Sequence, residues 1–246
     1  MKKCQFTAIL ALATAISAGA QAADMPVKAT PPVSTYDPWT GCYVGGNAAW
    51  ARFKVDTTFP GVADFGSSSG DGWSYGGQIG CDARVQSVVV GIRGLWDGVS
   101  DSTDKTLPLP NLGNFSGERQ NTKLKWFSTL DAKLGIVASP NFMIYGVGGW
   151  AWSGLRTSFL DPFDASSPLK WQADASMTGY NFGVGASWIF APNWEVWVEY
   201  DRLQFGERQI IAQGVGTQVG VPEPITQNLR VDTVLLGVNY RFNLAR

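Results

Sequence analysis

The side chains that could do chemistry recur at every second position. Glu195 and Glu199 lie in Trp194 to Asp201, where Trp194, Val196, Val198 and Tyr200 alternate with Glu195, Trp197, Glu199 and Asp201. Two carboxylates on one face raise the acid/base pair of a glycoside hydrolase. Arg93, Asp131, Lys133 and Arg241 fall on the polar side of similar stretches. With the two glutamates they could line an ion path or neutralise one another. Cys42 and Cys81 are a second pair, able to form a disulfide in an oxidising compartment. Histidine is absent from the 246 residues, which removes the usual histidine general base, the Ser-His-Asp and Cys-His arrangements and most zinc or haem ligand sets. No catalytic, cofactor-binding or metal-binding residue is assigned, and the chain does not read as an enzyme.

The elements that must position these residues share a period of two, the repeat of a strand with one oily and one wet face, except Phe142 to Trp152, which is so rich in apolar residues and glycine that its sequence assigns no faces. The closing stretch sets Val234, Leu236, Val238, Tyr240 and Phe242 against Thr233, Gly237, Asn239 and Arg241, with Leu235 as the one apolar intruder. Gly41 to Trp50, Trp73 to Asp82, Val88 to Val99, Lys123 to Val137, Phe142 to Trp152, Ser176 to Phe190 and Trp194 to Asp201 complete a set of about eight strands, an even number that lets an antiparallel meander close on itself. Val85-Gln-Ser87, Ala138-Ser-Pro-Asn141 and Ala191-Pro-Asn193 read as tight turns. Alternating with them are long stretches near Lys54 to Gly72, Ser100 to Thr122, Ser158 to Gln172 and Ile211 to Asn228, rich in Gly, Pro, Ser, Asp and Asn. Short connections at one end and long ones at the other are the plan of an outer-membrane barrel.

Ahead of the strands, residues 1–22 read as a cleaved signal peptide: Lys2-Lys3, an apolar core, then Ala20-Gln21-Ala22. Cys4 leaves with it. Residues 23–38 form a Pro-rich lead-in, and 39–246 the barrel. The charged fraction is 16% and the net charge -1, which argues against nucleic acid as a partner.

The polar face is mostly Gly, Ser, Asn and Thr with a few charges, too small to solvate a globule but suited to a narrow lumen. Trp50, Trp73, Trp188, Trp194, Tyr240 and Phe242 sit near strand ends on the other face, as interfacial girdles do. The expected fold is therefore an all-β, eight-stranded, antiparallel up-and-down transmembrane β-barrel, with short periplasmic turns and long extracellular loops. A soluble lipocalin-like binder is the inside-out alternative.

Trp39-Thr-Gly-Cys-Tyr-Val-Gly-Gly-Asn47, Gly76-Gly-Gln-Ile-Gly80 and Gly237-Val-Asn-Tyr-Arg-Phe242 resemble the small outer-membrane β-barrel ("porin family") surface proteins of alphaproteobacteria, relatives in fold of the OmpA transmembrane domain. The resemblance implies residence in the cell outer membrane, a role in envelope integrity or surface contact, and no catalytic residues. A narrow channel for ions or small solutes is the runner-up. Gly237, Tyr240 and Phe242 resemble the C-terminal assembly signal that the outer-membrane insertion machinery recognises. Lipid and lipopolysaccharide are the other expected partners, and the extracellular partner is unnamed.

Two site expectations follow from the strand pattern. If Trp50 pairs with Trp73, the same register sets Cys42 opposite Cys81, either bonded or as two outward thiols; a register off by two would put them out of reach. Arg93, Lys133 and Arg241 are expected to pair with Asp131, Glu195 and Glu199 in a lumen just wide enough for side chains. Lys123, Lys125, Arg156 and Arg208, near the long connections, read as rim charges or as contacts to lipopolysaccharide phosphates.

Overall fold

The computed structural model describes residues 37–59, 63–100, 102–106, 119–161, 169–215 and 223–242. The expected signal peptide and most of the lead-in, up to residue 36, lie outside them. Ten strands follow one another: β1 Gly41–Phe59, β2 Ala63–Val85, β3 Val88–Val99, β4 Ser102–Thr106, β5 Arg119–Ser139, β6 Phe142–Leu160, β7 Leu169–Ala191, β8 Trp194–Phe205, β9 Arg208–Gly214 and β10 Glu223–Phe242. The sheet runs β1-β2-β3-β5-β6-β7-β8-β10, every neighbour antiparallel, and β10 pairs back onto β1 from Cys42↔Phe242 to Thr58↔Thr226. Here β4 prolongs β3 along β5, and β9 prolongs β8 between β10 and β7. The result is a closed barrel of eight staves, which leaves no sheet edge for lipid to meet.

The turns are tight for identifiable reasons. Gln86 and Asn193 adopt positive φ, 58° and 67°, in two-residue connections. Asn tolerates that conformation well. For Gln86 the carbonyl is held by Arg84 Nε at 2.6 Å. Both chain ends of the barrel, Gly41 and Phe242, lie at this turn end.

The outer face is apolar where a membrane would lie. Ile79, Ile92, Leu134, Trp150 and Val184 are 60–65% exposed, while Arg93, Asp131, Glu199 and Arg241 are at most 2% exposed on the inner face. A soluble barrel would reverse those numbers. On β10 the outward residues from Val234 to Phe242 are all apolar, which matches the roughly 9–11 residues that a tilted spanning strand needs.

Beyond the row of Trp50, Trp73 and Val234, the strands continue but their polarity inverts. Outward positions become Arg52, Lys54 and Asp56 on β1 and Asp232 and Arg230 on β10. Inward positions become Phe53, Val55, Val231 and Leu229, each at most 1% exposed. The barrel therefore has a membrane tier with mostly polar side chains inside, and an outer tier whose inward apolar side chains are interleaved with hydrogen-bonded Thr57, Gln120, Thr122, Thr157 and Gln227. This differs from the expectation of long loops at that end: much of Lys54 to Gly72, Ser158 to Gln172 and Ile211 to Asn228 is paired strand. The apolar inward residues supply the burial that holds those strands together above the lipid.

Candidate functional site

The charges of the membrane tier converge in the lower lumen. β3 presents Arg93, whose Nη2 donates to Asp131 Oδ2 at 2.8 Å and whose Nη1 donates to Glu199 Oε2 at 2.8 Å. Asp201 stands 3.8 Å from the same guanidinium, and Gln78 accepts at 3.4 Å. Asp131 also accepts from the Thr129 hydroxyl at 2.7 Å. Below, Arg241 Nη1 donates to Glu195 Oε2 at 2.6 Å and Nη2 to Asp82 Oδ2 at 3.0 Å. Lys133 Nζ reaches Asp82 at 3.3 Å and stands 4.5 Å from the Tyr145 ring centroid. All six residues expected in the network are buried here, and each is engaged by an opposite charge. Glu195 and Glu199 are divided between two different guanidiniums, those of Arg241 and Arg93.

Three apolar clusters pack around this network and above it. At the turn end, Trp39 is fully buried with Val89, Met143, Tyr145, Val147 and Ile189. Its indole donates to the Pro140 carbonyl at 3.0 Å, and its own carbonyl accepts from Arg241 at 2.9 Å. The short segment before β1 is tied down by Asp37, which pairs with Arg84 at 3.3 Å. Beside and above the charges lies an apolar cluster: Trp197 falls between Glu195 and Glu199 on β8, while Phe53, Leu95, Phe127, Leu203, Phe205 and Leu229 continue it upward. Leu235, out of place in the sequence pattern, is here a fully buried member of that cluster, opposite Glu199 in the strand register. A further cluster of Phe159, Trp171, Ile210 and Ile225 closes the outer tier.

The lumen is packed large against small across the strands. Gly183 lies opposite Asp201, Gly91 opposite Asp82, Gly76 opposite Asp97, and Gly237 opposite Trp197. A Cβ at Gly183, Gly91 or Gly76 would overlap the facing carboxylate, and one at Gly237 would overlap the Trp197 indole. Each of these four glycines is thus the socket for the side chain opposite it. Asp82, Asp97, Asp201, Gln78, Asn239 and Trp39 were not singled out as network members from the sequence. Their inward parity in strands already recognised was the available signal for all but Trp39, which precedes the first strand.

Outside the lumen, the register is Cys42↔Cys81 and Trp50↔Trp73. The cysteine sulfurs are bonded, with Cα atoms 3.9 Å apart. Tyr240 and Phe242 point outward, their ring centroids 5.0 Å apart, and Trp194 stacks edge-on against Tyr240 at 5.2 Å. Among the described residues no group of His, Cys, Asp and Glu is arranged to hold a metal ion.

The outer membrane protein beta-barrel domain family matches residues 8–242 of the chain. The chain belongs to this family. It is similar to the 31 kDa outer-membrane immunogenic protein of Brucella melitensis, 28% identical over 95% of this chain and 98% of the relative. The same protein of Brucella suis matches equally. Two solved barrels are similar in shape. The major outer membrane protein of Thermus thermophilus has a TM-score of 0.49 and 15% identity, over 79% of this chain and 99% of the other. OprG of Pseudomonas aeruginosa has a TM-score of 0.48 and 11% identity, over 83% and 97%. The family and the alphaproteobacterial relatives bear out the outer-membrane location and the surface-barrel class expected from the sequence.

Proposed function

We propose that the chain is a non-catalytic outer-membrane barrel that stabilises the envelope and carries its outer tier as a rigid mount for surface contact. The observation that carries this reading is the side-chain packing inside the barrel: an ion-pair network in the membrane tier, with Trp39 packed below it and the apolar cluster that holds Phe53 above it. Eight staves leave a bore about as wide as its own side chains. A guanidinium held by two carboxylates has no reason to leave for a passing ion. The carboxylates that could serve as acid and base are already engaged by Arg93 and Arg241, and the chain has no histidine. On this reading Tyr240 and Phe242, outward at the turn end, are the groups offered to the insertion machinery.

The test is single-channel recording of the purified barrel in a planar bilayer. The expected trace is flat apart from brief small events. Large, stable openings would replace this reading with that of a solute channel.

A further inference from the structure

The outer wall carries a cluster of cations at one seam, just above the tryptophans. On β5 and β6, Lys123 lies directly opposite Arg156 in the strand register. Like charges set opposite each other across a strand pair repel. A register shift between Leu124 and Trp126 leaves Lys125 with no residue facing it, and its ammonium reaches across to Asp174 on β7 at 3.1 Å. Arg156 also directs its guanidinium to Asp174, at 2.8 and 3.0 Å. Two cations therefore share one carboxylate, with Lys123 set beside Arg156 as a third positive charge, and Lys125 and Arg156 keep about 40% of their side chains in solvent. Arg208, by contrast, donates to the Ser176 carbonyl and has Glu207 beside it.

The height of the cluster names its partner. Below Arg156 the outward residues of β6 are Gly154, Trp152 and Trp150, and a Cβ at Gly154 would meet the Trp126 indole. Aromatic rings of this kind mark the lipid–water boundary. Directly above that boundary on the outer side stand the headgroups of the outer leaflet.

We infer that Lys123, Lys125 and Arg156 form a docking site for the phosphate groups of an anionic glycolipid headgroup in the outer leaflet. The inference rests on the outer-membrane reading and adds a ligand to it. A phosphate between Lys123 and Arg156 converts their repulsion into two charge-assisted hydrogen bonds. Asp174 orients two of the cations without neutralising all three.

Native mass spectrometry of the folded chain in detergent tests this, with lipid A in bis-phosphorylated and dephosphorylated forms as probes. The phosphorylated form is expected to bind at least tenfold more tightly, and Lys123→Ala/Lys125→Ala to lose roughly ten- to thirty-fold, given about 1 kcal/mol per interfacial cation. Asp174→Asn is expected to bind more tightly than the parent. Equal affinity for the two lipid forms overturns the inference, as does parental affinity in the double variant. So does displacement of lipid A by an equal concentration of inorganic phosphate. The cold-to-boiled mobility shift on a detergent gel reports folding of each variant; should the double variant not fold, Lys125→Gln carries the same expectation at about half the loss in free energy. If the parent itself shows no such shift, the barrel reading fails. A shift without lipid A discrimination sinks only the docking site.

Discussion

Arg241 ties three parts of the lumen together: Glu195 of β8, Asp82 of β2 and the carbonyl of Trp39. Removing it leaves buried carboxylates without their cation, which costs about 3–5 kcal/mol where such pairs have been broken. Arg241→Met should lower the urea midpoint of the barrel folded in lipid vesicles accordingly, and adding Glu195→Gln should recover part of the loss. Equal midpoints for Arg241→Met and the parent would mean the network contributes nothing. At the surface, Asp174 offers a cleaner titration. Its hydrogen bonds from Arg156, and then from Lys125, hold its carboxyl down to about 2. A depressed folded value means that this pairing is fully present above the ordinary Asp range near ~4 and is lost as pH falls through the folded value. Carbon NMR of the carboxyl should give a midpoint near that low value, and Arg156→Gln should move it up towards the ordinary range. The cysteines are tested by mass. The chain without its signal segment should gain two hydrogens on reduction, and an unchanged mass would mean two free thiols on the outer face.

Strands in this barrel are specified by two patterns, and only one was legible. The period of two put Cys42, Cys81, Trp50 and Trp73 on the outward face but left a slip of two residues open, since only an odd slip would turn the oily residues of β1 inward; the register is Cys42↔Cys81 and Trp50↔Trp73. The upper strand ends hid behind their composition. Ser, Gly, Asp and Thr between Lys54 and Gly72 look like loop, yet Phe53 and Val55 alternate with Lys54 and Asp56 and continue β1 with its polarity reversed. No local feature announces that reversal. It appears only when both faces are followed across the Trp50 row. The glycine sockets were invisible for a related reason: a glycine's role depends on the residue opposite it, which needs the register first. They now separate two kinds of glycine. Gly183→Ala forces a methyl into the Asp201 carboxylate and the Tyr200 carbonyl, and overpacking of that kind costs about 1–3 kcal/mol. Gly94→Ala faces outward with nothing within 4 Å of the new atom, and should fall within about 0.5 kcal/mol of the parent. Chemical unfolding in vesicles compares the two directly. Equal effects would remove the socket argument.

At the scale of the whole molecule, the two tiers share the same long strands but are held by opposite logic. The membrane tier relies on lipid outside and ion pairs inside; the outer tier relies on an apolar core inside and water outside. β1 and β10 run through both without a break in their mutual pairing, from Cys42↔Phe242 to Thr58↔Thr226. A strand cannot leave the outer tier without loosening the register below it, so the tiers should unfold together. Phe53 tests this, since it lies above the membrane yet packs in the apolar plug at 1% exposure. Phe53→Ala should cost about 3–5 kcal/mol. It should also lower the temperature at which the compact unboiled species disappears from a detergent gel. Its neighbour Lys54, half in solvent and paired with Asp56 at 3.7 Å, should tolerate Ala with a change of no more than about 0.5 kcal/mol. Amide exchange distinguishes the two ways the Phe53 result could fail. If Phe53→Ala speeds exchange only above the Trp50 row while the heat transition stays put, the outer tier is an independent unit mounted on the barrel. If protection falls along the whole of β1 and β10, the plug above the membrane is part of what keeps the barrel shut.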